Sequence, residues 1–110
     1  MDSILNSIKK LLGIDENYKV FDTDIIMHIN TTFSILYQLG VGPEEPFKIT
    51  SSEETWDSFL EDKTKIEMVK TYIYMRVKIM FDPPTGGYLT AIQDQIKELE
   101  WRLNVSEDYS

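Results

Sequence analysis

The segment Ile66–Pro84, IEMVKTYIYMRVKIMFDPP, constrains the fold more than any other part of the chain. It reads as one long helix stopped by a double proline. Pro83 and Pro84 lack the amide donor a helix needs, and Asp82, ahead of a proline, is biased out of helical geometry. On a wheel of about 3.6 residues per turn, the apolar residues of this helix fall on two stripes. Ile66, Val69, Ile73, Val77 and Met80 form one. Met68, Tyr72, Met75 and Ile79 form a second, roughly a third of a turn away. Lys65 and Arg76 sit between them, and Lys63, Glu67, Lys70, Tyr74 and Lys78 fill much of the remaining arc. A surface helix needs a single stripe. Two imply either a central helix packed on both sides, or one side for the core and one for a partner.

The segments around it carry the marks of further helices. Ile4, Leu5, Ile8, Leu11 and Leu12 recur on one face from about Asp2 to Leu12, with Ser3 as the N-cap and Gly13 as the stop. This short amphipathic segment is too short and too charged for a signal peptide or a membrane span. A second helix starts at Asp22 or Thr23, presents Ile25, Ile26, Ile29, Phe33, Leu36 and Tyr37, and ends at Gly40. Gly40–Thr50, GVGPEEPFKIT, is a turn-rich loop. Phe47-Lys48-Ile49 alternates there and allows a short strand or hairpin arm. Ser51 and Glu54 have capping-box spacing ahead of a short helix in which Trp56, Phe59 and Leu60 reach the core. After Thr85-Gly86-Gly87 a last helix runs from about Tyr88 to Leu103 or Asn104, with Leu89, Ile92, Ile96, Leu99 and Leu103 on one seam, Tyr88 extending it, and a Glu98–Arg102 pair at i, i+4. The short connection favours antiparallel packing on the long helix. Trp101 falls on the opposite, polar face, either exposed or against another chain.

The expected fold is therefore all-α: a small bundle of four to five helices around a long central one, with a possible short β-hairpin or extended loop at about 40–50. One domain spans residues 1–110, with a flexible tail at about 104–110.

Chemistry is sparse. The chain has no cysteine, which excludes disulfides and thiolate catalysis. His28 is the only histidine and lies off the apolar face of its helix, where a structural role outweighs metal binding. Glu53, Glu54, Asp57, Glu61 and Asp62 cluster without calcium-loop spacing and read as a solvated acidic face. No phosphate loop, nucleophile elbow, zinc spacing or dinucleotide fingerprint occurs, so no cofactor is expected. The net charge of −8 disfavours duplex binding by the chain as a whole. Lys63, Lys65, Lys70, Arg76 and Lys78 concentrate the positive charge. They read as a solvated face complementing the acidic segments, with a nucleic-acid stripe as the rival reading.

Asp24-Ile-Ile-Met-His-Ile-Asn30, Gln38-Leu-Gly-Val-Gly-Pro43, Met68-Val-Lys-Thr-Tyr-Ile-Tyr-Met-Arg-Val-Lys78, Phe81-Asp-Pro-Pro84 and Ile96-Lys-Glu-Leu-Glu-Trp-Arg-Leu103, in that order, resemble the head-tail connector (adaptor, or head-completion) proteins of long-tailed bacteriophages. The similarity spans about Asp22 to Val105; the first helix matches least. It implies a helical core with a projecting hairpin or loop, here Gly40–Thr50. It also implies a homo-oligomeric ring beneath the portal protein, joined below to the next tail-side connector or stopper protein. DNA passes through such a ring without sequence-specific binding, and no active site or membrane is involved. The implied location is the head-tail interface of the virion, reached from the host cytoplasm. Trp101–Ser110 is the portal-facing candidate.

The interface candidates are thus Met68, Tyr72, Met75, Ile79, Trp101 and Tyr109. A virion connector subunit is the first reading. An acidic helical adaptor or regulator of a host or phage protein is the alternative. A nucleic-acid-binding regulator and an enzyme rank below both.

Overall fold

The computed structural model describes residues 2–108, with side chains described through Val105. Its helices, in chain order, are α1 (Ile4–Leu11), α2 (Asp22–Gln38), α3 (Trp56–Phe59), α4 (Lys63–Phe81) and α5 (Gly87–Asp108). The fold is a small all-α bundle.

Local sequence sets most of the helix ends. The Ser3 hydroxyl accepts from the Asn6 amide, 3.2 Å away, and caps α1. Gly13 and Gly40 both take positive φ, 81° and 83°, and end α1 and α2 in the same way. After α2, the Gly40 amide donates to Tyr37 and the Val41 amide to Leu36, so the last carbonyls are satisfied by the turn itself. Asp62 caps α4, accepting from the Thr64 amide and, at 2.6 Å, from the Thr64 hydroxyl. That hydroxyl is the main reason its carboxyl titrates below the usual range. At the other end, Lys78 pairs with Asp82 at 2.8 Å just before the double proline.

α4 is the hub, touching α1, α2 and α5. Its first stripe, Ile66, Val69, Ile73 and Val77, is buried together with Ile25, Ile29, Phe33 and Leu36 of α2 and Ile4, Leu5 and Ile8 of α1. Its second stripe turns toward α5: Tyr72 is completely buried and bonded to Glu100, and Met68 lies beside Leu103. α4 runs antiparallel to both long neighbours, since Phe81 packs edge-on to Phe21 just ahead of α2 while Tyr72 meets Glu100 late in α5. The chain thus packs on both stripes, burying most of the first and Tyr72 of the second. The thin dimension of the molecule, 20 Å against 40 and 35 Å, is about two helix diameters.

Some expectations are corrected. Leu11 is exposed although it lies near Ile4 on the α1 wheel, because it is the last residue of that helix. Met80 is also exposed: beyond the Phe21–Phe81 contact, that end of α4 has run out of helical cover. Tyr88 does not extend the α5 seam but is exposed, since the first fully buried residue of that helix is Ile96. α5 continues through Asp108 instead of stopping at Leu103 or Asn104, as nothing in that polar stretch breaks a helix. Asn104 reaches across to the Leu39 carbonyl at the end of α2.

Of the two possibilities for residues 40–50, the structure has the extended loop. Its two ends lie against the bundle through Val41, Gly42, Phe47 and Ile49, and Pro43, Glu44, Glu45 and Pro46 between them are exposed. Asn30 of α2 stands in for a partner strand: its Oδ1 accepts from the Ile49 amide at 2.8 Å and its Nδ2 donates to the Ile49 carbonyl at 2.9 Å. Ile49 and Val41 are buried and Lys48 faces out, as the alternation predicts. Phe47 packs with Phe33 and Phe59, the three ring centroids lying 4.7–5.3 Å apart. Gly42 passes directly over the Phe59 ring with φ of 102°, and a Cβ there would sit 2.5 Å from Cε1. The segment after the loop is drawn in by Glu54, whose carboxylate accepts from the amides of Thr50 and Ser51. It then clamps α1 through an isolated bridge between Ser3 and Thr55 and a bond from the Trp56 indole to the Ser7 hydroxyl.

The feature least visible in the sequence is Lys9, which is fully buried. Its ammonium donates to the carbonyls of Glu16 (3.1 Å) and Tyr18 (2.7 Å) and lies 2.8 Å from Asp22 Oδ1. That oxygen is buried and makes no hydrogen bond of good angle, so the contact with Lys9 is electrostatic. One side chain therefore fixes the connector between α1 and α2 onto the end of α1.

Two stability measurements check this account. Lys9→Ala should cost about 3–5 kcal/mol in urea unfolding, because it strands a buried carboxylate and two carbonyls, and Lys9→Met should cost less by refilling the space. Gly42→Ala should cost about 2–4 kcal/mol, from backbone strain at positive φ together with overlap on Phe59. A near-neutral result at either position would mean that the connector or the loop is not seated as described.

Candidate interaction surfaces

The charged groups come first, because they decide whether any chemistry is possible. Among the described residues no three His, Asp or Glu side chains converge in a way that could hold a metal ion. In the acidic cluster, Glu54 organises the turn at residues 50–51 and Asp62 caps α4, while Glu53, Asp57 and Glu61 face solvent. The basic stretch of α4 is largely engaged. Arg76 pairs with Glu100, Lys78 with Asp82, and Lys70 lies 3.9 Å from Glu67 and 5.6 Å from the centre of the Trp56 ring. These pairings match a complementing face and leave no continuous cationic stripe on this helix.

A second polar cluster, Tyr72, Arg76 and Glu100, lies between α4 and α5. The Tyr72 hydroxyl donates to Glu100 Oε2 at 2.7 Å, Arg76 Nε donates to the Tyr72 oxygen at 3.2 Å, and Arg76 Nη2 donates to the same Glu100 oxygen. Burial and the neighbouring carboxylate push the Tyr72 phenol above its ordinary value, so it remains a donor. Burial acts to raise the Glu100 carboxyl, but the bonds from Tyr72 and Arg76 and the guanidinium charge outweigh it and hold the carboxyl below its usual range. The cluster joins α5 to α4. It contains no nucleophile or open cleft, and its chemistry is structural.

The sequence-derived interface candidates separate into groups. Tyr72 is 0% exposed and is covered by its own chain. Met68, Met75 and Ile79 are half-buried against the core and keep part of their surface. Trp101 is 66% exposed on the outer side of α5, beside the exposed Glu98–Arg102 pair. Tyr109 lies outside the described residues. The structure therefore brings the four α4 positions onto one side of that helix and places Trp101 elsewhere.

Two exposed apolar regions escaped the reading of periodicities. One is formed by Tyr18, Val20 and Phe21, with Phe81 against Phe21 and Met80 next in sequence, at the end where α2 begins and α4 stops. Its residues lie in a connector and a final helical turn, where periodicity carries no signal. The other is the outer face of α2, where Met27 is exposed and Tyr37, expected on the apolar face of that helix, is exposed as well. No helix is long and apolar enough to cross a membrane among the described residues.

A sequence model of a family described as phage connector protein matches residues 4–110. No curated protein and no solved structure matches the chain significantly.

The α4–α5 cluster makes a pH prediction. A carboxyl held below its unfolded value adds stability that is complete above the unfolded value, about 4.5, and is lost as pH falls through the folded one. Glu100→Gln should therefore lower the urea midpoint at about pH 7, and the gap to the unaltered protein should narrow on going to about pH 3. A gap that stays constant with pH would mean that the carboxylate charge is not what holds the two helices.

Proposed function

The chain belongs to the phage head-tail connector family, and from that premise we propose that it acts as a connector subunit, assembling as a ring under the portal and joining capsid to tail. The carrying observation is the family match over residues 4–110, which includes all five helices. A phage connector is a structural component of the virion, and its work is binding rather than catalysis.

The mechanism is assembly. A ring closes through a heterologous contact, in which one patch of each subunit meets a different patch of the next. The α1–α4 core is a rigid block for such stacking, because α4 is packed on both sides by its own chain. Trp101, on the outer side of α5, is the anchor we assign to the portal: a large aromatic with most of its surface free gains most from burial. The chain's net charge of −8 suits a conduit, since an acidic wall lets phosphate backbones slide past without holding them. The next tail-side connector or stopper protein binds the opposite side of the ring. Subunits fold in the host cytoplasm and act in the virion.

Light scattering of the chain, alone and mixed with the cognate portal, tests this reading. The expected result is a complex holding several copies per portal. Trp101→Ala should weaken it by roughly tenfold or more with helicity unchanged. A chain that stays monomeric with the cognate portal, and instead forms a tight complex with another host or phage protein, would favour an acidic adaptor or regulator.

A further inference from the structure

Between Asp24 and Glu44 the chain carries no Asp, Glu, Lys or Arg, although such residues make up 27% of the whole. This span contains nearly all of α2. One side of the helix is buried against α4, yet beyond exposed Asp24 in the first turn its outer side also lacks charge: Met27, Thr31, Ser34, Tyr37 and Gln38 are all exposed. Met27 retains 56% and Tyr37 43% of its surface. The outer sides of α4 and α5 are different, presenting Lys63 and Glu67 on one and Asp94, Lys97, Glu98 and Arg102 on the other. A solvated helix face normally carries charge, whereas the centre of a protein–protein interface is depleted of it and enriched in Met and Tyr.

We infer that the outer face of α2 is a contact surface for a second copy of this chain. The choice of occupant follows from electrostatics. A basic partner would be drawn to the carboxylates that dominate the rest of the surface and would gain nothing from a neutral face. A second copy is itself charged −8, and two copies repel wherever carboxylates face one another. The α2 face lets them approach without that penalty. Thr31 and Ser34, between Met27 and Tyr37, leave the helix backbone accessible to close packing, and the two larger side chains supply the buried area. This inference rests on the connector reading, which already requires copies to meet, and adds which surface they use: α2 and not the second stripe of α4.

The test is the number of copies assembled with the cognate portal, measured by native mass spectrometry on the full chain. Ser34→Glu puts a carboxylate in the centre of the contact and should reduce copy–copy association by roughly tenfold or more, with circular dichroism unchanged. Thr31→Glu, one turn away, should do the same and serves if Ser34→Glu fails to fold. Gln93→Glu makes the same charge change on exposed α5 and should leave assembly intact. Multimers of the Ser34 and Thr31 variants like those of the unaltered chain would overturn the inference while leaving the connector reading in place. Equal loss in all three variants would also overturn it, since total charge and not this face would then be responsible. An unaltered chain that forms no multimer with its portal would overturn the connector reading and this inference together.

Discussion

The Tyr72 ring has no contact with solvent, and a buried phenol must find a partner for its hydroxyl. It finds Glu100, and because Glu100 is itself partly withdrawn from water, it in turn needs Arg76. This chain of requirements fixes which side of α4 receives α5. It also explains why α5 can be so sparsely apolar. Among its described side chains only Ile96 and Leu103 are buried, and the charged bonds between them hold the register that a longer seam would otherwise set. With α5 in place, Tyr72 of the second stripe is closed off while Met68, Met75 and Ile79 keep part of their surface, and α4 becomes the element on which α1 and α2 also rest.

Much of this was legible in the sequence, for a physical reason. Helix ends are decided by a few local bonds, so Ser3, Gly13, Gly40, Asp62 and the double proline mark them without reference to the rest of the chain. The outward side of Trp101 and the Glu98–Arg102 pair follow from helical periodicity in the same way. What periodicity leaves open is what a face meets. The double stripe of α4 was compatible with a partner chain or with a helix of its own, and the Tyr72–Glu100 bond, made between residues far apart in sequence, brings α5 onto it at Tyr72.

Lys9 and Asn30 show the same limit from the polar side. On the α1 wheel Lys9 lies next to Leu5, at the edge of the apolar arc, and that position was a signal in the sequence. Its burial nevertheless depends on carbonyls at Glu16 and Tyr18, in a connector whose path no local rule specifies. Asn30 likewise reads as an ordinary polar residue of α2 until the loop arrives and uses its amide as a strand edge. In both cases one side chain supplies the hydrogen bonds that let an irregular segment lie on the core, which a backbone with unpaired groups could not do.

The distribution of charge links fold to assembly. A chain with nineteen acids and eleven bases gains solubility from self-repulsion, but the same repulsion opposes any contact between copies. Covering α4 with its own α1, α2 and α5 leaves a subunit whose core is complete before it meets a neighbour. Assembly can then proceed by docking folded blocks, without any folding step at the contact. Such docking needs surfaces where the repulsion is absent or is outweighed by buried aromatic area. In the ring we propose, α2 would offer the first and Trp101 the second, on different helices. A subunit with both roles would need that separation, because one patch cannot serve both contacts at once.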